Sequence, residues 1–291
     1  MVSTQCPRAV DLPAEARAGF RAGLVAPTGG WAPGFVQAGM IAVPRRHAVA
    51  LRRFAVRNLR ACPLLDIVGP GRFTTSLAEG ADLRRDLPAY LVWRGGAVSD
   101  WSRDVSAVWD EELVTFLVGA AYTSDAILRR EGVPVRSLDQ GRITPLYRTN
   151  QRCAKAGRYP SRFRSRLVVS MRPIPAALVP RAAMVTSALP DSHGMPIWAG
   201  NPSRLGIADL DRPDFGDPVE FARGDVPVFW ASAVTLQEAV AASRIPFAIT
   251  NAPGHLLVTD RKARRAPSAP GRSRLRRGEP GAAAEGLHRS H

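Results

Sequence analysis

The segment from Leu146 to Ile174 constrains the fold most, because it sets charged and amide side chains where an apolar pattern calls for a core. It runs Leu146-Tyr147-Arg148-Thr149-Asn150, passes through a loop around Cys153 and Gly157, and returns as Leu167-Val168-Val169-Ser170-Met171-Arg172-Pro173-Ile174. The second half has strand character and presents Arg172 beside a proline, which places the guanidinium at a strand terminus and not mid-face. Arginine is almost never buried without a partner. Two arginines near strand ends, accompanied by Ser170, Thr149 and Asn150, suit a pocket that grips a small carboxylate bidentately. The competing expectation is structural: Arg148 and Arg172 pair with core aspartates such as Asp209 or Asp217 and tie two parts of the chain together.

Around this segment, strand and helix patterns alternate. Helices are expected over 13–24, 47–58, 110–118, 123–131, 176–186 and 236–242, and strands over 35–43, 64–68, 226–231, 247–250 and 256–259, with a hairpin around Arg94-Gly95. The Asp82 to Asp86 charge run reads as a solvated loop. This order predicts α/β layering: a three-layer mixed sheet domain with a smaller two-layer α+β domain. The larger unit is expected over 1–135 and 226–260, the smaller over 136–225.

Charge is the one unusual bulk property, with a net value of +15. Nine of the 40 basic residues lie between Arg261 and His291 against two glutamates, so nearly half the excess sits in a segment rich in Pro, Gly, Ala and Ser. Such a segment buries too little apolar surface to fold, and 261–291 is expected to be a disordered basic tail. No helix-turn-helix, zinc-finger or aromatic ribonucleoprotein pattern accompanies it, so a specific nucleic-acid partner is not expected. Apolar runs fall short of the roughly 20 residues that span a bilayer, and the N-terminus lacks the layout of a secretory signal. A cytoplasmic protein without a membrane partner is the expectation, with a homo-oligomer left open. Cys6, Cys62 and Cys153 show neither disulfide nor zinc spacing, and no metal is expected.

Several ordered blocks resemble the D-glutamate cyclase family, whose bacterial members are described as hydro-lyases. They are Gly34-Phe35-Val36-Gln37-Ala38, Cys62-Pro63-Leu64-Leu65, the run Gly80 to Pro88, Tyr147-Arg148-Thr149-Asn150, the run Val169 to Pro175, Gly206-Ile207-Ala208-Asp209-Leu210, the run Arg212 to Asp217, Pro227-Val228-Phe229-Trp230-Ala231 and Ala252-Pro253-Gly254-His255. The resemblance implies a two-part α/β protein and lyase chemistry that eliminates water, with D-glutamate closing to 5-oxo-D-proline as the activity attached to the family name. The chain departs from that pattern at three places. A Gly-Cys-Ser-Phe-x-Phe-Glu run appears as Gly119-Ala120-Ala121-Tyr122-Thr123-Ser124-Asp125, a Trp-Ala-Cys-Gly run as Trp230-Ala231-Ser232-Ala233, and a His before Ala-Pro-Gly-His as Asn251. These departures favour an alternative of the same fold, a catalytically weakened binding module for an amino acid or dicarboxylate.

Ring closure of glutamate needs a neutral amine, a protonated leaving oxygen and donors for the tetrahedral oxyanion. Arg148 and Arg172 are the expected clamp for the α-carboxylate of a small carboxylate or amino-acid substrate, with Asn150, Ser170 and Gln37 as neutral hydrogen-bonding groups. His255, after a Pro-Gly turn, is the expected proton carrier, and Asp214 and Asp217 the carboxylates. His193 reads as a loop residue. No cofactor is required, and Gly69-Pro70-Gly71 is a turn and not a phosphate loop.

Overall fold

The computed structural model describes residues 10–264. In chain order the elements are α1 (Pro13–Arg21), β1 (Phe35–Pro44), α2 (Arg45–Arg57), β2 (Leu64–Val68), β3 (Tyr90–Arg94), β4 (Ala97–Ser102), β5 (Leu113–Gly119), α3 (Tyr122–Arg130), α4 (Arg136–Asp139), β6 (Leu146–Arg152), β7 (Arg166–Pro175), α5 (Val179–Ser187), β8 (Trp198–Ala199), β9 (Asp225–Ala231), α6 (Val234–Ser243), β10 (Phe247–Asn251) and β11 (Leu257–Lys262). They form an α/β fold with two antiparallel sheets. The larger has the order β2-β5-β1-β10-β3-β4, with β11 also on β1; the smaller has the order β6-β7-β9-β8.

β1 is the axis of the larger sheet because both its faces are buried. Ala38, Met40 and Ala42 pack on one side with Leu83, Leu117 and Ile249. Ile41 and Val43 pack on the other with Phe54 of α2, Phe116 of β5 and Leu236 and Val240 of α6. A strand sandwiched in this way loses its polar alternation and becomes a continuous apolar run. The same physics corrects the expectation of a helix over 110–118. Asp110-Glu111-Glu112 resembles an acidic first turn, but Leu113-Val114-Thr115-Phe116-Leu117-Val118-Gly119 is β5, buried at every residue. Its Val, Thr and Phe content suits a pleated surface, and a seven-residue run without period is too short to identify a helix.

One edge of β1 is shared by two strands. β10 pairs with it at Ile41 and Ala42, β11 at Gln37 and Ala38, and the chain leaves the sheet in between, at Ala252 to Leu256. A turn makes the detour: the His255 amide donates to the Ala252 carbonyl at 3.0 Å, and Gly254 takes a φ of 78°. Proline then glycine at the centre of a turn is the type II signature. The gap left in the ladder is filled by a side chain, since Asn251 Oδ1 accepts from the Met40 amide at 2.9 Å.

α6 lies between the sheets and contacts both β1 and β7. β9, grouped above with the larger unit, is hydrogen bonded to β7 over seven registered pairs from Val169–Ala231 to Pro175–Asp225 and belongs to the smaller sheet. β11 runs to Lys262, past the expected start of the tail at 261. The remainder of that tail, 265–291, lies outside the described residues. Among the described residues no helix is long and apolar enough to cross a membrane. The Asp82–Asp86 segment is not a solvated run: Asp86 is fully buried and takes Nε and Nη2 of Arg21 on its two oxygens.

Candidate active site

The break in the β1 edge opens into a pocket at the junction of the two sheets, with a cavity volume of about 50 Å³. Its floor is Gly39 and Ile41 of β1 with Asn251 of β10, and one wall is the turn at Pro253-Gly254. Ser170 of β7 and Ser232, just after β9, come from the smaller sheet. The first turns of α3 and α6 also open onto it, through Ala121-Tyr122 and Ala233-Val234. Amides in the first turn of a helix lack intrahelical acceptors and carry the positive end of the helix dipole. Here the Thr123, Ser124, Thr235 and Leu236 amides already donate to the carbonyls of Ala120, Ala121, Ser232 and Ala233, so what the two ends offer an anion is the positive ends of their dipoles.

Each end is placed by a specific contact. α3 is fastened to β1 by Gln37, whose carbonyl accepts from the Ala120 amide at 3.1 Å and whose amide donates to Thr123 Oγ1 at 3.1 Å. The Gln37 side chain turns the other way, donating to the carbonyls of Thr28 and Trp31. At α6, the Val234 amide donates to Ser232 Oγ at 3.3 Å. Thr235 Oγ1 accepts from the Val168 amide at 3.0 Å, tying the helix to β7.

His193 supplies the pocket's imidazole, beside the phenol of Tyr122, whose pKa burial raises. His193 is 2% exposed. Nδ1 lies 2.8 Å from the Arg60 carbonyl, which can only accept, so Nδ1 carries the proton and Nε2 keeps its lone pair. Nε2 has no hydrogen-bond partner among the described residues. Burial holds the imidazole neutral, with its pKa pushed down to about 4, the Arg60 carbonyl pulling weakly the other way. The loop that carries His193 reaches β5 only because residue 119 is glycine: a Cβ there would overlap the carbonyl oxygen of Asp191.

Behind Ser170 stands a buried ion pair. Arg172, 1% exposed, directs Nε and Nη2 to Asp125 Oδ1 at 2.9 and 2.7 Å, with Nη1 3.3 Å from Ser170 Oγ. Its guanidinium also lies 5.3 Å from the centroid of the Trp230 ring. Asp125 Oδ2 has no partner among the described residues. Burial pushes the Asp125 carboxyl above its ordinary range, and Arg172 opposes that push.

Of the eight residues singled out from the sequence, the pocket therefore receives Ser170 directly and Arg172 through it. Arg148 and Arg172 do not converge. Arg148 is exposed and forks to Glu238 at 2.7 and 2.8 Å, with Nη1 on Asp214 at 2.7 Å, beside a separate cleft lined by Gly206, Asp209 and Arg212. Asp217 Oδ2 accepts from the Ile143 amide at 2.8 Å, and Asn150 is exposed. His255, half-buried, turns Nδ1 toward the Pro253 carbonyl at 2.8 Å; burial lowers its pKa, but it does not line the pocket. The structural expectation for the arginines holds in kind with different partners: Asp125, Asp214 and Glu238 in place of Asp209 and Asp217. His193 is the residue that the sequence reading passed over. Nothing periodic marks it, and the contacts that single it out, Arg60 with its own ring and Gly119 with Asp191, are made only in the fold. Among the described residues no group of three His, Cys, Asp or Glu side chains is placed to hold a metal.

Ala120, Ala121, Ser232 and Asn251, where this chain departs from the family pattern, all line this pocket. Residues 114–260 match the model of the D-glutamate cyclase family. A relative from Saccharopolyspora erythraea is 50% identical over 248 residues, covering 85% of this chain and 96% of its own length. Another from Paracidovorax citrulli is 50% identical over 254 residues, covering 87% and 93%, and one from Rhodococcus opacus is 48% identical over 250 residues, covering 86% and 94%. All three carry the name "Putative hydro-lyase". The chain belongs to the D-glutamate cyclase family.

Proposed function

We propose, from that membership, that the protein is a carbon–oxygen lyase that removes water from a small carboxylic or amino acid held in the pocket between the two sheets. The observation that carries the reading is His193 Nε2, a buried, unprotonated nitrogen without a partner among the described residues, at a pocket flanked by two helix N-termini. A general base needs a lone pair within reach of the proton it takes, and burial keeps this one free at neutral pH.

Closure of D-glutamate to 5-oxo-D-proline is the finer form of the proposal, and it shows what each group would do. The amine nitrogen attacks the γ-carboxyl carbon, a C–N bond forms and a C–O bond breaks. The ammonium gives up two protons in the process, and both leave on the departing oxygen as water. One base that collects protons from nitrogen and returns them to oxygen satisfies this balance, and His193 is the group we assign to it. The reacting carboxyl sits beside Ser170 and Ser232, whose hydroxyl protons would stabilise the oxyanion, with the dipoles of α3 and α6 directed at it. Arg172 acts through Ser170 as a positioning residue.

A second reading, a binding module of the same fold, is favoured by one observation: Ala120, Ala121, Ser232 and Asn251 line the pocket in place of two thiols, a hydroxyl and an imidazole. Proton NMR of the full chain with D-glutamate, L-glutamate and a panel of hydroxy acids separates the two. Conversion of any acid that is lost in His193→Asn supports the lyase. Unchanged acids, with one of them still raising Tm, would leave the binding module standing.

A further inference from the structure

We infer that the surface built by α2 and the segment 152–166 binds single-stranded nucleic acid without regard to its sequence; this goes beyond the lyase reading and does not rest on it. Six arginines lie within 45–60: Arg45, Arg46, Arg52, Arg53, Arg57 and Arg60. Six more cations lie within 152–166: Arg152, Lys155, Arg158, Arg162, Arg164 and Arg166. All twelve are exposed. Neither stretch contains an aspartate or glutamate, and the second belongs to a run, 140–190, that has none. None of the twelve forms an ion pair among the described residues. One acidic side chain, Glu238, shares a cleft with Arg164, and it is taken by the fork of Arg148. Outside the twelve, residues 10–264 hold 21 lysines and arginines against 23 acidic residues, so the excess positive charge of the described chain is concentrated here.

Far apart in sequence, the two stretches are fastened into one surface. Asn58 holds residue 154 from both sides, its Nδ2 donating to the Ala154 carbonyl and its Oδ1 accepting from the Ala154 amide, each at 2.9 Å. His47 Nδ1 lies 2.7 Å from Ser161 Oγ. Gly157 lets the segment settle on α2, since a Cβ there would come within 2.9 Å of Ala50 Cβ. Arg57, Arg60 and Arg152 meet on the rim of one cleft as a result. Like charges gathered on a folded surface repel one another, and a bound polyanion relieves that repulsion. Eleven of the twelve cations are arginines, whose planar fork matches a phosphate where the lysine ammonium is a point charge. α2 has thirteen residues and is about 20 Å long, room for about six phosphates at the 3.4 Å rise of a stacked strand. Tyr159, between Arg158 and Pro160, is 92% exposed. A ring left in water buries no apolar surface in the fold, and among phosphate-binding groups it is a platform on which an unpaired base stacks.

The test is fluorescence anisotropy of the full chain with a labelled oligothymidylate of about 15 nucleotides, between about 50 and 200 mM salt. Two paired variants, Arg52→Gln with Arg53→Gln and Arg158→Gln with Arg162→Gln, change exposed side chains and are expected to keep Tm. Each pair is expected to weaken binding by at least about tenfold at the lower salt, and to reduce the slope of log K against log salt by about 1.4, or about 0.7 for each charge removed. Tyr159→Ala is expected to weaken binding by at least about fivefold and to leave that slope unchanged. Binding that survives both paired variants belongs to the basic residues after 264 and overturns the inference, as does no binding at the lower salt. Tighter binding to vesicles containing phosphatidylserine than to the oligonucleotide also overturns it and makes the patch a membrane-surface site. Tyr159→Ala without effect overturns the single-strand assignment, since no base would then stack there.

Discussion

Arg172 and Asp125 meet through a single carboxylate oxygen, with Nε and Nη2 both on Oδ1 and Oδ2 left without a partner among the described residues. The pair joins β7 of the smaller sheet to α3, whose start forms one side of the pocket. Removing one member strands a buried charge, whereas removing both need not. Asp125→Asn is therefore expected to destabilise the fold by about 3–5 kcal/mol, and Asp125→Asn with Arg172→Met to recover most of it. Urea denaturation of the single and double variants checks this; equal losses in both would refute an ion-pair role.

The histidine that lines the pocket makes stability depend on pH. Its folded pKa, about 4, lies below the ordinary value near 6.5, so between those two values the unfolded chain binds the proton more readily. Its contribution is complete above about pH 6.5 and is lost as pH falls toward 4, at up to about 1.4 kcal/mol per pH unit. In His193→Asn an amide still reaches the Arg60 carbonyl but does not titrate. Denaturation midpoints measured from pH 7 to 4 should fall less steeply in the variant.

Turnover should depend on His193 more than binding does. General-base contributions are typically about 10²- to 10⁴-fold, so His193→Asn is expected to lower kcat by that order, with KM changed by less than about tenfold. NMR rates for a turned-over acid give both numbers. A variant with full kcat would remove His193 from the chemistry.

Gly119→Ala tests how the histidine is delivered. The added methyl would overlap the Asp191 carbonyl, so the loop that ends at His193 must retreat. The expected outcome is a loss of about 1–3 kcal/mol from overpacking and a rise of the His193 pKa toward its ordinary value as water enters. Imidazole chemical shifts followed against pH report the second effect.

Arg148→Ala should do little. The side chain is 43% exposed, and its pairs with Asp214 and Glu238 are of the solvent-screened kind worth about 0–1 kcal/mol. Stability within about 1 kcal/mol of the parent and unchanged kcat are expected. Lost turnover would restore the two-arginine clamp that the sequence suggested.

Much of the fold was legible because local chemistry determines it. The buried run 35–43, the strand 64–68, the helix ended near Asn58 and the Pro-Gly turn before His255 all follow from apolar content and turn residues, and the structure places each within a few residues of expectation. The strand 113–119 was misread because acidic residues ahead of an apolar run imitate a helix start. Only the neighbours on both of its faces, Ile41 and Phe54 on one side and Met40 and Val68 on the other, distinguish the cases.

The site divides along the same line. From its residues alone the chain determined its family, its α/β class and the presence of an arginine that would need a partner; the strand end expected at Arg172 is instead the interior of β7, which stays paired to β9 as far as Pro175. The chain did not determine which partner, because Asp125 lies 47 residues from Arg172 and meets it only when α3 packs against β7. Nor could it choose among the histidines. Whether an imidazole is a base or a turn residue depends on which atoms surround it, and for His193 and His255 those atoms come from Arg60 and Pro253, one remote in sequence and one two residues away. Composition and periodicity record what a side chain is; burial, tautomer and open valence are properties of its surroundings, and the packing of the two sheets assigns those.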